Sequence, residues 1–497
     1  MLCRNNIILI IVSSFFTGLA HHPLSLGFFT WFSLVPLILV LNKINRLFDF
    51  IKVGFIWGII YNLIVIFWLS MNIGTSPLIG FISMISAVLY CSISYFIICF
   101  LIGILKLRYR NKWEWVIPFV WVSIEYIRHK DILSGGPWTS LANTQIDFIT
   151  LIQNAELTGI YGISFWIVLL NVFIYKWIIK PYKNYLYFLT LVFVLPWLSG
   201  FILLQRVSLE NKKNIDISLV QPNINLIQKW NPNRIKDNIQ LLLDLSQSSV
   251  KDSVSLIIWP ESAIPGYILQ GNKGNIKWIQ SRLGTSNLLT GIPYYIDKDQ
   301  ERSFYNSVVL ISKSFISEPY HKMVLVPLGE YVPFSSYFPK LKKINFGQAN
   351  FTSGKDYVLF KINNINIAAM VCFESTIPDL NAEFVRKGAE ILVYVVNDGW
   401  YQTPPEPQQH ANQAIYRAIE NRRSVIRASN TGISMVINPK GNIIDSIQLN
   451  DFGIITSQVA AMNGFTFYTK FGDVFAKINV IVLLLLIIGL LNKKNEN

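Results

Sequence analysis

The stretch Ile365-Asn-Ile-Ala-Ala-Met-Val-Cys-Phe-Glu-Ser375 decides how the polar part of this chain folds. Apart from one asparagine, every residue before the cysteine is apolar, a pattern that predicts a strand buried within a sheet. Cys372 follows this run directly, so we expect its thiol to lie where the strand ends. The sequence therefore predicts an α/β domain with a thiol at one edge of its sheet.

Two other stretches of the polar region present reactive side chains beside apolar runs. Glu261 closes Leu-Ile-Ile-Trp-Pro-Glu, and Lys322 precedes Met-Val-Leu-Val-Pro. A carboxylate, an ammonium and a thiol together supply a base, a charge stabiliser and a nucleophile. Taken alone, a single cysteine is usually a small buried hydrophobe, and a single glutamate usually lies on the surface. Since the three residues are far apart in sequence, only tertiary folding can assemble them into a catalytic set.

The composition is that of a membrane protein. Of the 497 residues, 52% are hydrophobic and only 14% are charged, and the mean hydropathy is +0.40. Soluble proteins carry about 25% charged residues. The net charge of +14 comes largely from short loops between apolar segments, so no nucleic-acid partner is expected. Cys372 is the only cysteine of the polar region, which excludes a disulfide framework there.

Apolar segments of roughly membrane-spanning length flank the polar region on both sides. They cover about 6–20, 24–42, 50–70, 78–105, 113–128, 159–180, 184–204 and 474–491. Lysines and arginines occupy alternate loops, a bias that marks the cytoplasmic side. We therefore predict a multi-pass α-helical bundle of eight transmembrane helices, with both termini cytoplasmic and 205–473 on the outer side. Gly54 and Gly58 have the spacing of a close helix contact, which we assign to packing within the bundle.

The polar region alternates between predicted strands and helices. Strands are expected at Ile215–Val220, Leu256–Trp259, Leu288–Ile292, Ser307–Ile311, Val324–Val326, Ile365–Cys372, Ile391–Val396, Ile433–Ile437 and Ile454–Ser457. Helices are expected at 231–248, 274–283, 379–387 and 408–423. Continuous apolar strands separated by helices indicate sheets that are covered on a face.

An ordered set of motifs in this region resembles the nitrilase superfamily. The motifs are Gln221-Pro-Asn223, Trp259-Pro-Glu261, His321-Lys322, Pro327-Leu-Gly-Glu330, Cys372-Phe-Glu374 and Asn397-Asp-Gly-Trp400. The whole chain more closely resembles the family of bacterial apolipoprotein N-acyltransferases, in which seven spans precede such a domain and one follows it. Further matching stretches are Lys229-Trp230, Gly329–Phe334, Gln409-His410, Arg417–Arg422 and Arg427–Ser434. Phe373 departs from the pattern, since relatives often carry tyrosine after the nucleophile, which puts only a hydroxyl contact in doubt.

The resemblance implies a fold and a reaction. The fold is an αββα sandwich, and the catalytic set is Glu261, Lys322 and Cys372, with Glu330 and Glu374 as supporting active-site residues. Cys372 would take a fatty acyl group from a membrane phospholipid as a thioester. The α-amine of a diacylglyceryl-cysteine at the N-terminus of an apolipoprotein would then accept the acyl group, in the last step of lipoprotein maturation.

The resemblance also implies where the parts lie. Residues 1–205 would form a seven-helix transmembrane region, 206–472 an extracytoplasmic nitrilase-like catalytic domain, and 473–497 a last helix with a cytoplasmic tail. The expected location is the bacterial inner membrane, with the catalytic domain in the periplasm.

Trp230 and Phe346 are expected to bind substrate, although ordinary burial at a helix start is the alternative for Trp230. The stretch 334–351 is either a mobile lid that dips toward lipid or a packed loop.

No cofactor, metal or nucleotide is expected. The sequence has no His-Glu-x-x-His spacing, no cysteine pair suited to zinc and no phosphate-binding glycine loop, so His321 and His410 are not predicted metal ligands.

Two rival functions stay open. One is a membrane-anchored nitrilase-type amidase that uses water as the acceptor, although it gives no reason for eight spans. The other is a non-enzymatic membrane scaffold with a decayed domain, against which the intact catalytic set argues.

Overall fold

The computed structural model describes residues 4–110, 112–131, 133, 136–210, 212–271, 273–298, 301–332, 350–401 and 403–492. The described residues fall into two units. The first lies within Met1–Asn72, Ser76–Arg206 and Phe471–Asn497, and the second within Ile73–Thr75 and Val207–Lys470.

The first unit is helical, as its apolar segments predict. Its helices before the polar region are α1 (Arg4–Leu19), α2 (Val35–Lys43), α3 (Leu47–Ile66), α4 (Pro77–Tyr109), α5 (Ile117–Lys130), α6 (Ile149–Ile152), α7 (Ala155–Ile179) and α8 (Lys183–Arg206). Short 3₁₀ turns lie at Gly27–Trp31, Phe67–Met71, Trp113–Val116 and Leu141–Gln145. Each apolar segment predicted in this part of the chain contains one of these helices.

The predicted count of eight spanning helices is not confirmed. Among the described residues, four helices are long and apolar enough to cross a membrane, and they are Leu47–Met71, Pro77–Tyr109, Ala155–Ile179 and Lys183–Arg206. The other predicted spans form shorter helices, since α1 has 16 residues and α5 has 14. The second predicted span is divided between the 3₁₀ turn Gly27–Trp31 and the nine-residue α2. Proline lies in the first turn of α2, where a helix can begin but through which a longer helix would be interrupted.

The pair Gly54 and Gly58 serves packing within the bundle, which confirms that prediction. A Cβ atom added at Gly54 would lie 2.3 Å from the carbonyl oxygen of Tyr95, and one at Gly58 would lie 3.1 Å from the Cα atom of Ser92. Both contacts are with α4, so the two glycines let α3 approach its neighbour closely.

The second unit contains two six-stranded sheets. The first has the order β12-β1-β2-β3-β4-β5 and the second β11-β10-β9-β8-β7-β6. The first sheet comprises β1 (Lys213–Gln221), β2 (Leu256–Ile258), β3 (Asn287–Lys298), β4 (Glu301–Ile311), β5 (Tyr320–His321) and β12 (Gly453–Ala461). The second comprises β6 (Leu359–Ile362), β7 (Ile365–Val371), β8 (Ile391–Val396), β9 (Ser424–Ser429), β10 (Ser434–Ile437) and β11 (Ile443–Ile447). Strands β1 to β3 are parallel, and so are β7 to β9.

Helices connect and flank the strands of this part of the chain. They are α9 (Leu226–Lys229), α10 (Ile235–Lys251), α11 (Lys273–Arg282), α12 (Pro378–Arg386), α13 (Glu406–Asn421) and α14 (Phe467–Phe471). The apolar faces of α10 and α11 form one core with β2, in which Leu242, Ile279 and Ile257 are fully buried. Helix α13 packs on β9 and β10, while β1 approaches β9 between the sheets. This is the predicted αββα sandwich. The chain then returns to the first unit as α15 (Val474–Asn492).

The strands bring the predicted reactive residues to their ends. β5 and β7 end immediately before Lys322 and Cys372, and β2 ends shortly before Glu261. The prediction of a strand at Val324–Val326 is wrong. The backbone N–H groups of Met323 and Val324 donate to the Glu374 carboxylate, so a side chain replaces a neighbouring strand as their acceptor.

Candidate active site

Cys372 lies at a sharp turn directly after a buried strand. It begins the 3₁₀ turn Cys372–Thr376, and its φ is 53°. That left-handed conformation is unfavourable for a residue with a Cβ atom, so the surrounding fold must hold it. Burial raises the pKa of the Cys372 thiol well above its ordinary value; Glu261 raises it further, and Lys322 opposes the rise. The resting side chain is therefore a protonated thiol, which needs a base before it can attack.

Glu261 is a buried carboxylate whose charge acts on the Cys372 thiol. Its Oε1 accepts a hydrogen bond from Asn306 Nδ2 at 2.7 Å, and its main-chain oxygen accepts one from Lys229 Nζ at 2.7 Å. Burial raises the pKa of the Glu261 carboxyl, whereas the positive charges of Lys322 and Lys229 lower it. A carboxyl with a raised pKa is a stronger proton acceptor when ionised, as general-base chemistry requires.

Lys322 is held by an ion pair with Glu330. Lys322 Nζ lies 2.7 Å from Glu330 Oε2, and only 1% of the lysine side chain is exposed. Burial lowers the pKa of Lys322, but Glu330, Cys372 and Glu261 outweigh burial and raise it overall. Lys322 is therefore a permanent positive charge among two carboxylates and the thiol.

Glu374 is fully buried and connects two parts of the site. Its Oε1 accepts hydrogen bonds from the Tyr320 hydroxyl at 2.7 Å and from the Met323 N–H at 2.7 Å. Its Oε2 accepts one from the Val371 N–H at 2.8 Å. The carboxylate thus ties the segment around Lys322 to the strand that ends at Cys372.

Asn306 is a site residue that the sequence analysis missed. Its Nδ2 donates to Glu261 Oε1 at 2.7 Å and to Glu330 Oε1 at 3.1 Å, and its carbonyl accepts from the Lys322 N–H at 2.8 Å. Its position directly before the apolar strand predicted at Ser307–Ile311 is the signal that would have found it, because an amide buried there needs polar partners.

A second polar cluster supports the turn at Cys372. His410 Nδ1 lies 2.8 Å from Asp398 Oδ1, and Arg427 donates to Asp398 Oδ2 at 2.7 Å. Burial raises the pKa of Asp398, but Arg427 and His410 outweigh it and bring this pKa to about 2. His410 Nε2 also lies 3.1 Å from the Ser375 hydroxyl, so the cluster reaches the turn that begins at Cys372.

This cluster contains potential metal ligands that sequence spacing did not predict. A thiol, a carboxylate and an imidazole atom of Cys372, Asp398 and His410 lie within 4.8 Å of one another. Their surroundings do not suit a resident cation. Both Asp398 oxygens are engaged, one of them by Arg427, whose positive charge would repel a metal ion. The group fits a hydrogen-bonded support for the nucleophile turn better than a metal centre.

Two further residues, Trp230 and Phe346, are predicted to bind substrate. Trp230 follows α9 and is 42% exposed, so ordinary burial does not explain it. Phe346 lies outside the described residues, as do residues 334–349 of the proposed lid. Both substrate contacts stay predictions.

Comparison with known families matches both parts of the chain. Residues 13–173 match the apolipoprotein N-acyltransferase N-terminal domain, and residues 216–463 match the carbon-nitrogen hydrolase family. Together with the two sheets, the second match identifies the α/β unit as nitrilase-like.

Two relatives are similar over most of the chain. The apolipoprotein N-acyltransferase of Geobacter metallireducens is 30% identical, with 95% of this chain and 93% of the relative covered. That of Chlorobaculum tepidum is 28% identical, with 89% of this chain and 88% of the relative covered. Among solved structures, a carbon-nitrogen hydrolase from Helicobacter pylori is 16% identical with a TM-score of 0.38, with 50% of this chain and 89% of that chain covered.

Proposed function

The chain belongs to the apolipoprotein N-acyltransferase family, and from that premise we propose that it moves a fatty acyl group from a membrane phospholipid to an apolipoprotein. The acceptor is the N-terminal α-amine of a diacylglyceryl-cysteine. The acyl group is carried in between as a thioester on Cys372. Glu261, Lys322 and Cys372 are the proposed catalytic residues.

The first half-reaction forms the acyl-enzyme. Glu261 takes the proton of the Cys372 thiol as the sulfur attacks the carbonyl carbon of the phospholipid ester. The positive charge of Lys322 stabilises first the developing thiolate and then the oxyanion. The ester C–O bond breaks, and Glu261 returns the proton to the departing alkoxide, which leaves as the hydroxyl of a lysophospholipid.

The second half-reaction transfers the acyl group. The neutral α-amine attacks the thioester carbon, the C–N bond forms and the C–S bond breaks. Glu261 takes one proton from the attacking nitrogen and returns it to the Cys372 sulfur, so the enzyme is regenerated. An α-amine with a pKa of about 7.7–8.0 is partly neutral near neutral pH, which suits this step.

The observation that carries the proposal is the chain of contacts that connects the three segments. Asn306 donates to Glu261 and Glu330, and Glu330 pairs with Lys322. Glu374 connects the segment after Lys322 to the strand that ends before Cys372. The charges of Glu261 and Lys322 both act on the Cys372 thiol, and Glu330 fixes the ammonium group of Lys322. Glu330 and Glu374 are the proposed supporting residues, since one pairs with Lys322 and the other connects its segment to the strand before Cys372.

The membrane arrangement is also proposed on the family resemblance. Residues 1–205 and 473–497 would supply seven spans and one span of the bacterial inner membrane, with both termini cytoplasmic. Residues 206–472 would form the periplasmic catalytic domain. The apolar helices and the alternating lysine and arginine loops support this arrangement. Trp230 and Phe346 are proposed to contact substrate near the acyl group.

A two-acceptor assay tests the proposal against the amidase alternative. Purified protein is incubated with phospholipid and a synthetic diacylglyceryl lipopeptide that has a free α-amine, and the products are identified by mass spectrometry. The matched control is the same lipopeptide with an acetylated amine. We expect an N-acylated peptide from the free amine only. Release of free fatty acid at the same rate with both peptides would identify water as the acceptor and contradict the proposal.

A further inference from the structure

Lys229 is a buried lysine beside the proposed base, and the mechanism above does not use it. It ends α9, and none of its surface is exposed. Its Nζ donates to the main-chain oxygen of Glu261 at 2.7 Å. A buried ammonium group is costly unless its charge is compensated. Within the described part of the chain, Glu261 is the charged group that acts on Lys229.

Lys229 adds a second positive charge near Glu261, beside that of Lys322. Lys322 is already paired with Glu330 through the contact of 2.7 Å. Glu261 has no ion pair of its own among the described residues, although it accepts a hydrogen bond from Asn306. Lys322 also acts on the buried carboxylate of Glu374, so its charge is shared among three carboxylates, and Lys229 is the second ammonium group that acts on Glu261.

The main chain of Glu261 is also held tightly on β3. A Cβ atom at Gly291 would lie 2.6 Å from the Cα atom of Glu261 and 2.6 Å from the nitrogen of Ser262. The Gly291 N–H donates to the Pro260 oxygen at 3.2 Å, and the Ala263 N–H donates to the Gly291 oxygen at 3.0 Å. These bonds fix the residues on either side of Glu261, whereas Lys229 binds the carbonyl of Glu261 itself.

We propose that Lys229 is a positioning residue for Glu261, whose buried ammonium group fixes the Glu261 main chain and supplies the second positive charge that keeps the carboxylate ionised. This inference rests on the proposed function, since it gives Glu261 the role of base. Burial lowers the pKa of Lys229 to about 8, with Glu261 opposing the shift, so the lysine is charged below that pH. The other groups that act on Glu261 are Lys322, Glu330 and Asn306, and Glu261 in turn acts on the titratable thiol of Cys372.

The charge of Lys229 should affect how the rate of acyl-enzyme formation depends on pH. Glu261 acts as a base only when ionised, so the rate of acyl-enzyme formation falls as pH drops through its pKa. The positive charge of Lys229 lowers that pKa. Removal of the charge therefore raises it, and the acid limb of the rate profile moves to higher pH by about one unit.

The test compares three substitutions of one lysine in the full-length protein. The initial rate of acyl adduct formation from phospholipid is followed by intact mass against pH. Lys229→Met removes the charge and the hydrogen bond, Lys229→Gln keeps a donor without the charge, and Lys229→Arg keeps both. Lys236→Met, at an exposed position, is the matched control. The midpoint of the acid limb does not depend on the amount of folded protein, so partial misfolding does not obscure it.

We expect the midpoint to move up by about one pH unit in Lys229→Met and Lys229→Gln, and to stay near the unmodified value in Lys229→Arg and Lys236→Met. Unchanged midpoints in both uncharged variants would overturn the role of Lys229 and leave the proposed function standing. Absence of any adduct in the unmodified protein would instead contradict the proposed function.

Discussion

Lys322 and Glu330 form a buried ion pair, with Lys322 Nζ 2.7 Å from Glu330 Oε2. Glu330 Oε2 also accepts a hydrogen bond from the Val326 N–H at 2.8 Å, so one carboxylate fixes both the ammonium group and the loop that follows it. Loss of one partner from a buried pair leaves an uncompensated charge, which costs more than the pair itself contributes. The pair therefore determines where the positive charge of the site lies.

Glu330→Gln should damage both stability and activity. The substitution leaves Lys322 without its paired charge, so we expect the free energy of unfolding to fall by about 3 kcal/mol. A displaced ammonium group should slow acyl-enzyme formation on the order of 100-fold. Denaturant unfolding and the rate of adduct formation measure the two effects. Glu318→Gln at an exposed position is the control, and equal behaviour of the two variants would refute this role of Glu330.

Glu374→Gln should act mainly through structure. An amide offers one acceptor oxygen, so it cannot accept from Val371 on one side and from Tyr320, Met323 and Val324 on the other. We expect a loss of about 2 kcal/mol of unfolding free energy, typical of hydrogen bonds to a charged group. Glu383→Gln, which alters a surface pair with Arg386, should be nearly neutral. A Glu374→Gln protein as stable as the control would show that these bonds contribute little.

Continuous apolar strands predicted sheets covered on a face, and the resemblance to the nitrilase superfamily implied that they form an αββα sandwich. The same pattern placed Cys372 correctly after β7, since a turn must follow where the run ends. It failed at Val324–Val326, where an apolar run is held by a glutamate side chain that is distant in sequence. It also missed β9, because Arg427 interrupts the apolar pattern and only the fold shows that Asp398 neutralises it.

The candidate site was less predictable than the fold. Motifs identified Glu261, Lys322 and Cys372, but local sequence does not show which main-chain or side-chain groups hold them. Asn306 bridges two carboxylates across a distance that no spacing rule encodes. Sequence spacing also does not reveal that His410 lies near Cys372. The two residues belong to α13 and to the turn after β7, which come together only in the folded domain.

Topology provides a test that does not depend on the catalytic residues. The alternating lysine and arginine loops predict that Lys180 is cytoplasmic and that the chain after α8 lies on the outer side. A reporter that is active only in the periplasm should be active when fused after Phe201 and silent when fused after Lys180. The opposite pattern would place the catalytic domain in the cytoplasm.

The remaining cysteines should be dispensable for chemistry. Cys91 and Cys99 are buried within α4, and Cys3 lies outside the described residues. Replacement of all three by alanine removes small apolar groups, so we expect some loss of stability and nearly unchanged turnover per folded molecule. Activity is measured against the amount of folded protein from gel filtration. A folded triple variant without activity would mean that Cys372 is not the sole functional thiol.

The most direct test of the central claim is the intact mass of the protein after incubation with phospholipid alone. The unmodified protein should gain the mass of one fatty acyl group less one hydrogen, and fragmentation should locate this group on Cys372. Cys372→Ser should gain no mass, because a hydroxyl is far less acidic than a thiol, and Glu261→Gln and Lys322→Met should form little adduct. An acyl adduct at another residue, or an equal mass gain in Cys372→Ser, would contradict the account.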